Sequence, residues 1–150
     1  MQDKNGSTQV APSIQTLPEP TSIVLATVDR GGIPSTAIVS WVVARPSGIV
    51  ALALDRRSSS YRNITSGSDK VACEVLGDDT IFSVRGIARV EKDLMTNAPF
   101  PCALVTIEIS ELRDHSVKGV HFHGPRYLFA GDKRHRRGIQ AAVLAELSAS

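Results

Sequence analysis

The stretch LDRRSSSYRN, at positions 54–63, places three arginines and three serines between an apolar run and a polar segment. A phosphate dianion is held by several converging donors, most often guanidinium groups, hydroxyls and the free backbone amides at the start of a helix. Residues 54–63 can supply all three donor types. Arginine and serine are also common in exposed turns. From these residues alone, a phosphate-binding cradle and an ordinary basic turn both remain open.

Two histidines, His121 and His123, flank one phenylalanine and would lie on the same side of an extended chain. Zinc sites need three or four ligands. No Cys-x-x-Cys pair and no suitably spaced acid accompanies the two imidazoles in the sequence. We therefore predict polar loop histidines and no metal site.

The run KRHRR at 133–137 is a dense cluster of positive charge. Three interpretations are open: a solvated helix start, contact with nucleic-acid phosphates, or contact with an anionic cofactor or substrate. Proteins that bind single-stranded nucleic acid also expose aromatic side chains for stacking. Aromatic residues make up only 5 % of this sequence and mostly lie in apolar runs, which argues against a nucleic-acid partner.

Composition predicts one folded domain with a tail. The chain has 150 residues, 42 % of them hydrophobic, and a formal net charge of +2, so a genuine core is expected. Cys73 and Cys102 lie in apolar runs, which is typical of reduced core thiols in a cytoplasmic protein. The sequence has neither an N-terminal signal pattern nor an apolar run of about 20 residues. We expect a cytoplasmic protein with no membrane partner.

Alternating and β-branched residues predict a mainly β fold. The expected strands cover 21–29, 33–44, 49–54, 70–76, 80–92 and 103–112, with a last short strand at 127–130. Short helices are expected at 58–68, between capping serines and Gly67, and at 137–147. These elements indicate a small antiparallel barrel, and the strand at 49–54, apolar on both faces, suits a barrel whose outside is covered by a partner. We divide the chain into a flexible arm (1–20), a barrel (21–130) and a basic segment with a C-terminal helix (131–150).

The order of these pieces is similar to that of a known family. ATVD in the first strand is followed by a Gly-rich turn, a proline-opened second strand, IVALALDRRSSSYRN, KVACEVL and VRGIARV. This series, over roughly residues 22–93 with 103–112 as a sixth strand, resembles the pyridoxamine-5'-phosphate-oxidase-like family of FMN-binding split barrels. The resemblance implies a six- to seven-stranded antiparallel split β-barrel with one or two short helices. It also implies a homodimer with its flavin sites between the subunits.

The resemblance assigns cofactor contacts by position. The junction after the third predicted strand would hold the FMN phosphate through Arg56, Arg57, Ser58, Ser60 and Arg62. The second strand would run along the isoalloxazine ring, and the end of the third would approach the same cofactor; the residues concerned are Val39, Ser40, Trp41, Ala53 and Leu54. Without the resemblance, a lone tryptophan on a strand is more often a filler of a core or an interface.

The implied function is that of an FMN-binding oxidoreductase performing two-electron chemistry on an unidentified small molecule, with no catalytic side chain assigned. Ser60 stands where the family often has a lysine, and the second strand lacks a basic residue. Oxidation of a vitamin B6 phosphate is therefore not expected. Two alternatives stay open: a deazaflavin-dependent reductase on the same fold, and a non-catalytic flavin-, haem- or nucleic-acid-binding barrel.

Overall fold

The computed structural model describes residues 21–149. They form seven antiparallel strands and two α-helices, joined by turns and loops. The expected N-terminal arm, residues 1–20, lies outside them. The strands are β1 Ile23–Val28, β2 Pro34–Val39, β3 Val42–Ala44, β4 Val50–Asp55, β5 Lys70–Gly77, β6 Thr80–Lys92 and β7 Cys102–Asp114. The helices are α1 Ser59–Arg62, which runs into a π-helical turn at Asn63–Gly67, and α2 Arg136–Ser148, which follows a 3₁₀ turn at Gly131–Lys133. The mainly β, antiparallel fold predicted from the sequence is confirmed.

All seven strands belong to one sheet, in the order β2-β1-β5-β6-β7-β4-β3. Its two edge strands, β2 and β3, follow one another in the chain and are separated only by Ser40 and Trp41. Such a connection spans about 10 Å even when fully extended. The two edges must therefore come together, so the sheet curls into a barrel that is split between β2 and β3.

The prediction of one continuous strand at 33–44 is wrong. β2 pairs with β1, with Pro34 opposite Val28, whereas β3 pairs with β4, with Val42 opposite Leu52. The chain bends between the two strands because their partners lie at opposite edges of the sheet.

The barrel interior is filled by one face of each strand. In β1, for example, Ile23 and Leu25 are buried while their neighbours are partly exposed, which is the period-2 pattern of a half-buried strand. In β4 both faces are buried: Leu52 points into the barrel core, and Ala51 and Ala53 belong to a second cluster outside it.

Helix α2 forms the other side of that second cluster. Val143, Leu144 and Leu147 are buried against the outer faces of β3, β4 and β7. The predicted helix at 137–147 is thus confirmed. The outside of β4 is covered by the chain's own C-terminal helix rather than by a partner, which corrects the interpretation of its two apolar faces. Neither helix of residues 21–149 has the length and hydrophobicity that a membrane-spanning helix needs.

A buried arginine fastens the end of α2. Arg45, only 5 % exposed, donates from Nε to the carbonyl of Leu147 at 2.9 Å. Its terminal nitrogens donate to the two carboxylate oxygens of Glu91 in β6, at 2.7 and 3.0 Å. Since the last carbonyls of a helix have no partner within it, Arg45 satisfies the helix end and joins it to the barrel.

The short strand expected at 127–130 is not formed, and no helix or strand occurs between 115 and 130. Side chains of the β5–β6 turn hold this segment instead of a strand ladder. Asp79 accepts a hydrogen bond from the backbone N of Phe122 at 3.1 Å, and Asp78 accepts one from the backbone N of Gly124 at 2.9 Å. Gly124 packs so closely that an added Cβ would lie 2.7 Å from the Cα of Gly77.

Candidate functional site

The junction between β4 and α1 begins with a tight pair, Asp55 and Arg57. The Asp55 carboxylate accepts three hydrogen bonds from Arg57: from its backbone N at 2.8 Å, from Nε at 3.0 Å and from Nη2 at 2.8 Å. The side-chain and backbone hydrogen bonds from Arg57 lower the pKa of Asp55 to about 2. The same pairing raises the pKa of Arg57. The arginine is thus oriented at the protein surface by a carboxylate that stays ionised.

Ser58 opens α1 as its N-cap, accepting a hydrogen bond at Oγ from the backbone N of Tyr61 at 3.1 Å. The predicted start of the helix is confirmed, although its second half is a π-helical turn. Gly67 ends that turn without the positive φ of a C-cap glycine. It is needed there for a close approach, because a Cβ would lie 2.6 Å from the carbonyl oxygen of Val28.

The other arginines fold back over the junction. Arg62 donates to the carbonyl of Arg57 at 3.1 Å and to Oγ of Ser59 at 3.3 Å. The guanidinium of Arg56 lies over the ring of Tyr61, 5.9 Å from its centroid. The arginine side chains predicted to hold a phosphate are therefore gathered along one short, exposed stretch, whereas Ser60 beside them is buried.

Asn63 fixes this stretch to the barrel. Its side chain is buried, and Nδ2 donates to Oγ1 of Thr27 in β1 and to Oγ of Ser35 in β2, each at 3.0 Å. Because both amide protons are used, the asparagine sets the position of α1 relative to two strands at once. Asn63 was not among the residues predicted from the sequence; its only signal there is its place directly after Arg62 in LDRRSSSYRN.

Aromatic rings connect the arginines with the bend between β2 and β3. Trp41 stacks on Phe100, with ring centroids 5.6 Å apart and planes at 21°. The guanidinium of Arg57 lies 5.9 Å from the centroid of the same phenylalanine ring. Two sequence-predicted site residues from different elements thus meet at one ring. Phe100 was not predicted as a site residue from the sequence. Its only signal there is that it is an apolar residue flanked by prolines in the loop 93–101.

The remaining predicted residues divide into two groups. The side chains of Val39 and Leu54 point into the barrel core, and that of Ala53 packs under α2. Ala53 also donates its backbone N–H to the carbonyl of Trp41 at 3.0 Å. These three residues can therefore meet a ligand only through their backbones, whereas the Ser40 side chain is partly exposed beside Tyr127.

The two cysteines are buried, and two of the histidines, His115 and His121, have side-chain partners. His121 lies 3.2 Å from Oδ1 of Asp79, and residues 21–149 contain no group of three or more potential metal ligands. Cys73 and Cys102 are buried free thiols, and burial raises their pKa to about 12 and about 11. Neither thiol is suited to nucleophilic chemistry.

Comparison with known proteins gives no matching family model and no matching curated protein. Solved structures do match. A candidate pyridoxamine 5'-phosphate oxidase from Lactobacillus delbrueckii has a TM-score of 0.53 at 23 % identity, over 61 % of this chain and 83 % of that one. An FMN-binding protein from Syntrophomonas wolfei has a TM-score of 0.51 at 19 % identity, over 70 % and 83 %. This chain has the pyridoxamine-5'-phosphate-oxidase-like split-barrel fold.

The split-barrel fold is shared by proteins with different ligands. The heme storage protein HutZ from Vibrio cholerae has a TM-score of 0.52 at 12 % identity, over 64 % of this chain and 87 % of that one. An F420 reductase has a TM-score of 0.53 at 16 % identity, over 68 % and 94 %. The resemblance inferred from the sequence motifs is confirmed at the level of the split-barrel fold, within which the cofactor varies from protein to protein.

Proposed function

We propose that this protein binds FMN at the β4–α1 junction and acts as a flavin-dependent oxidoreductase on a small molecule. The observation that carries the proposal is the meeting of Arg57 and Trp41 on the ring of Phe100. Cationic donors suited to a phosphate and aromatic faces suited to a planar ring system thereby occur side by side, on a fold that FMN-binding proteins share.

The charges of the junction fit a phosphate monoester. Arg56, Arg57 and Arg62 contribute three positive charges and Asp55 removes one, which leaves a net +2 to match a dianion. The Ser58 hydroxyl oxygen accepts a hydrogen bond from the Tyr61 backbone N–H, which leaves its own O–H free to donate to a phosphate. The junction thus supplies charge and directional donors without the lysine that Ser60 replaces.

The chain's own residues would position the cofactor rather than transfer protons. Bound FMN would supply the two-electron chemistry. The backbone of residues 39–41 would run along the ring, because the side chain of Val39 points inward. Trp41 and Phe100 would shield the site from water at the end near the arginines.

A homodimer is part of the proposal. Ile33 and Ile38 are 65 % and 78 % exposed, and Ile38 lies on β2, an edge strand of the sheet. Exposed apolar side chains beside an unpaired strand edge are typical of a contact surface. We also infer a cytoplasmic location, with which two buried, unpaired cysteines agree.

A deazaflavin coenzyme is the second candidate. The basic segment 133–137 is exposed, and the phosphate junction does not use it. A coenzyme with a long anionic tail would give these cations a partner. An F420 reductase shares the fold.

Identification of the ligand begins with the purified protein. We expect it to be yellow and to release FMN on denaturation, which mass spectrometry of the released compound would show. A deazaflavin or haem in its place would overturn FMN as the cofactor. Release of no ligand, together with failure to bind added FMN, would overturn flavin binding.

The phosphate junction is tested by comparing FMN with riboflavin, which lacks the phosphate. Replacing Arg57 or Arg62 with alanine should weaken FMN binding at least tenfold, about 1.4 kcal/mol, and leave riboflavin binding unchanged. Fluorescence titration of the apoprotein measures both affinities. Arg89→Ala is the matched control, since Arg89 is exposed on β6 outside the junction. Equal losses for both ligands, or none for FMN, would contradict the assignment.

A further inference from the structure

A cleft of about 890 Å³ is lined in part by Tyr127, whose phenol lies beside Ser40 of the bend between β2 and β3. One wall is the end of the β5–β6 hairpin around Asp78, and another is the irregular segment that carries Arg126 and Tyr127. The start of α2 closes it with Arg137 and Gln140. A concave site of this size with a few converging polar groups is suited to a small-molecule ligand.

The cleft carries one uncompensated positive charge. Arg126 is paired with the carboxylate of Asp78, so these two groups neutralise one another. The guanidinium of Arg137 makes no hydrogen bond or ion pair with any of residues 21–149. A ligand with a single negative charge is the electrostatic complement of this lining.

Two other polar groups of the cleft are already oriented. The Tyr127 hydroxyl donates to Oε1 of Gln140 at 2.7 Å. With the Tyr127 hydroxyl donating to Oε1, the Gln140 amide nitrogen remains as a donor for a ligand oxygen. Burial raises the pKa of the Tyr127 phenol, so this hydroxyl keeps its proton.

The other walls are apolar. Leu76 and Phe129 line the cleft, and Phe129 packs edge-to-face against Tyr127 with ring centroids 5.9 Å apart. Aromatic and aliphatic walls favour a planar apolar body. We propose that this cleft binds a small aromatic carboxylate, with Arg137 as the charge partner and Gln140 as the hydrogen-bond donor.

The cleft adjoins the proposed flavin position. The Ser40 side chain lies within hydrogen-bonding range of the Tyr127 phenol, and Ser40 belongs to the segment assigned to the flavin ring. As a binding site the cleft stands by itself. As the substrate site it rests on the proposed function, and aromatic carboxylates then become the substrate class of the oxidoreductase.

Benzoate is the probe, and benzamide, which has nearly the same shape without the charge, is its neutral control. In ¹H–¹⁵N NMR spectra of the full chain, benzoate should shift the backbone amides of Gly77 and Gly124 and the side-chain amide of Gln140. We expect a dissociation constant on the order of 1 mM. Arg137→Gln should weaken benzoate binding about two- to fivefold, a loss of the size that one exposed ion pair provides. Benzamide should bind at least fivefold more weakly than benzoate.

Arg134→Gln is the matched control, because Arg134 belongs to the same basic segment but does not line the cleft. It should leave benzoate affinity unchanged. Equal losses in the two variants would assign the binding to general positive charge and overturn the proposal. Absence of shifts at Gly77, Gly124 and Gln140 up to about 20 mM benzoate would overturn it as well.

The cleft and the flavin site can fail separately. Arg62→Ala, expected to lose FMN, should bind benzoate with unchanged affinity. Benzoate binding without FMN binding would refute the proposed function and leave the cleft site intact. FMN binding without benzoate binding would refute the cleft site alone.

Discussion

Asp55 sets the charge of the proposed phosphate site. It holds Arg57 through three hydrogen bonds, so an incoming phosphate competes with a carboxylate for the same donors. The pKa of Asp55, lowered to about 2 by those bonds, keeps the carboxylate ionised at all ordinary pH values. The acid therefore limits phosphate affinity while it orients the arginine.

Asp55→Asn should strengthen FMN binding. The variant removes a negative charge next to the phosphate and frees Nη2 of Arg57, while the asparagine oxygen can still accept from the Arg57 backbone N–H and from Nε. We expect the FMN dissociation constant to fall about two- to fivefold, with riboflavin affinity unchanged, as measured by fluorescence titration. Asp69→Asn, on an exposed turn away from the junction, is the control. A weaker FMN complex would show that Asp55 contributes to the site instead of competing with its ligand.

Local and distant contacts at the site differ in how far the sequence predicts them. The pairing of Asp55 with Arg57 spans two residues, and the serine cap spans three, so the letters DRRSSSY already contain both. Asn63 joins partners 28 and 36 residues away. Phe100 reaches Trp41 from a loop without periodicity. No short-range pattern encodes such contacts, so these two residues could not be found before the fold.

Helix α2 and the loop 93–101 form one structural unit through Glu146. Its carboxylate accepts hydrogen bonds from the backbone N of Thr96 at 2.9 Å, from that of Asn97 at 2.8 Å and from Nζ of Lys92 at 2.8 Å. The same loop carries Phe100, the ring at the centre of the proposed site. The position of that ring thus depends on a helix residue, Glu146, that comes 46 residues later in the chain.

Glu146→Gln should destabilise the protein in a pH-dependent way. Burial alone would raise the pKa of Glu146, but the hydrogen bonds from Lys92, Thr96 and Asn97 outweigh it and lower the pKa from 4.5 to about 2. The stabilisation is complete above pH 4.5 and is lost as pH falls towards 2. At pH 7 we expect the free energy of unfolding in urea to drop by about 1–3 kcal/mol.

At pH 3 the difference between wild type and Glu146→Gln should be clearly smaller than at pH 7. Glu108→Gln is the matched control, because Glu108 is exposed on β7 and has no ion pair within residues 21–149. A difference of the same size at both pH values would show that the effect is steric and not linked to the charge of Glu146.

The curled sheet determines which surfaces remain for a partner. The outer faces of β3, β4 and β7 are covered by α2, whereas β2 leaves Ile38 exposed at a sheet edge. The proposed homodimer contact therefore falls on the β2 side of the molecule. The sequence suggested the apolar outside of β4 for this role, because it does not show that α2 returns to cover that strand.

Ile38→Arg should weaken the dimer. A charge at the centre of an apolar contact must be desolvated without a partner, so we expect the dimer dissociation constant to rise at least tenfold. Sedimentation velocity would show wild type at twice the 16.1 kDa of one chain and the variant at the monomer mass. Val117→Arg, at another exposed apolar side chain, is the control. A dimer that persists in Ile38→Arg, or a monomeric wild type, would refute this contact.

At the scale of the whole molecule, the sequence predicts the positions of the strands better than it predicts how the sheet closes into a barrel. The β-branched residues of β1 and the spacing of apolar residues in α2 were sufficient to place those elements. The apolar run IPSTAIVSWVVA, in contrast, shows no sign of the bend at Ser40 and Trp41. That bend arises from pairing with strands on opposite sheet edges, which is a property of the assembled sheet.

The two hydrogen bonds of Asn63 have a thermodynamic consequence. They tie the arginine-bearing helix to β1 and β2, so this segment cannot fray while the barrel stays folded without breaking both bonds. The binding free energy of a ligand at the arginines then stabilises the whole cooperative folding unit that includes β1 and β2. By linkage, a ligand bound at the exposed arginines should raise the midpoint of the global unfolding transition. Its effect would not be limited to ordering a loop.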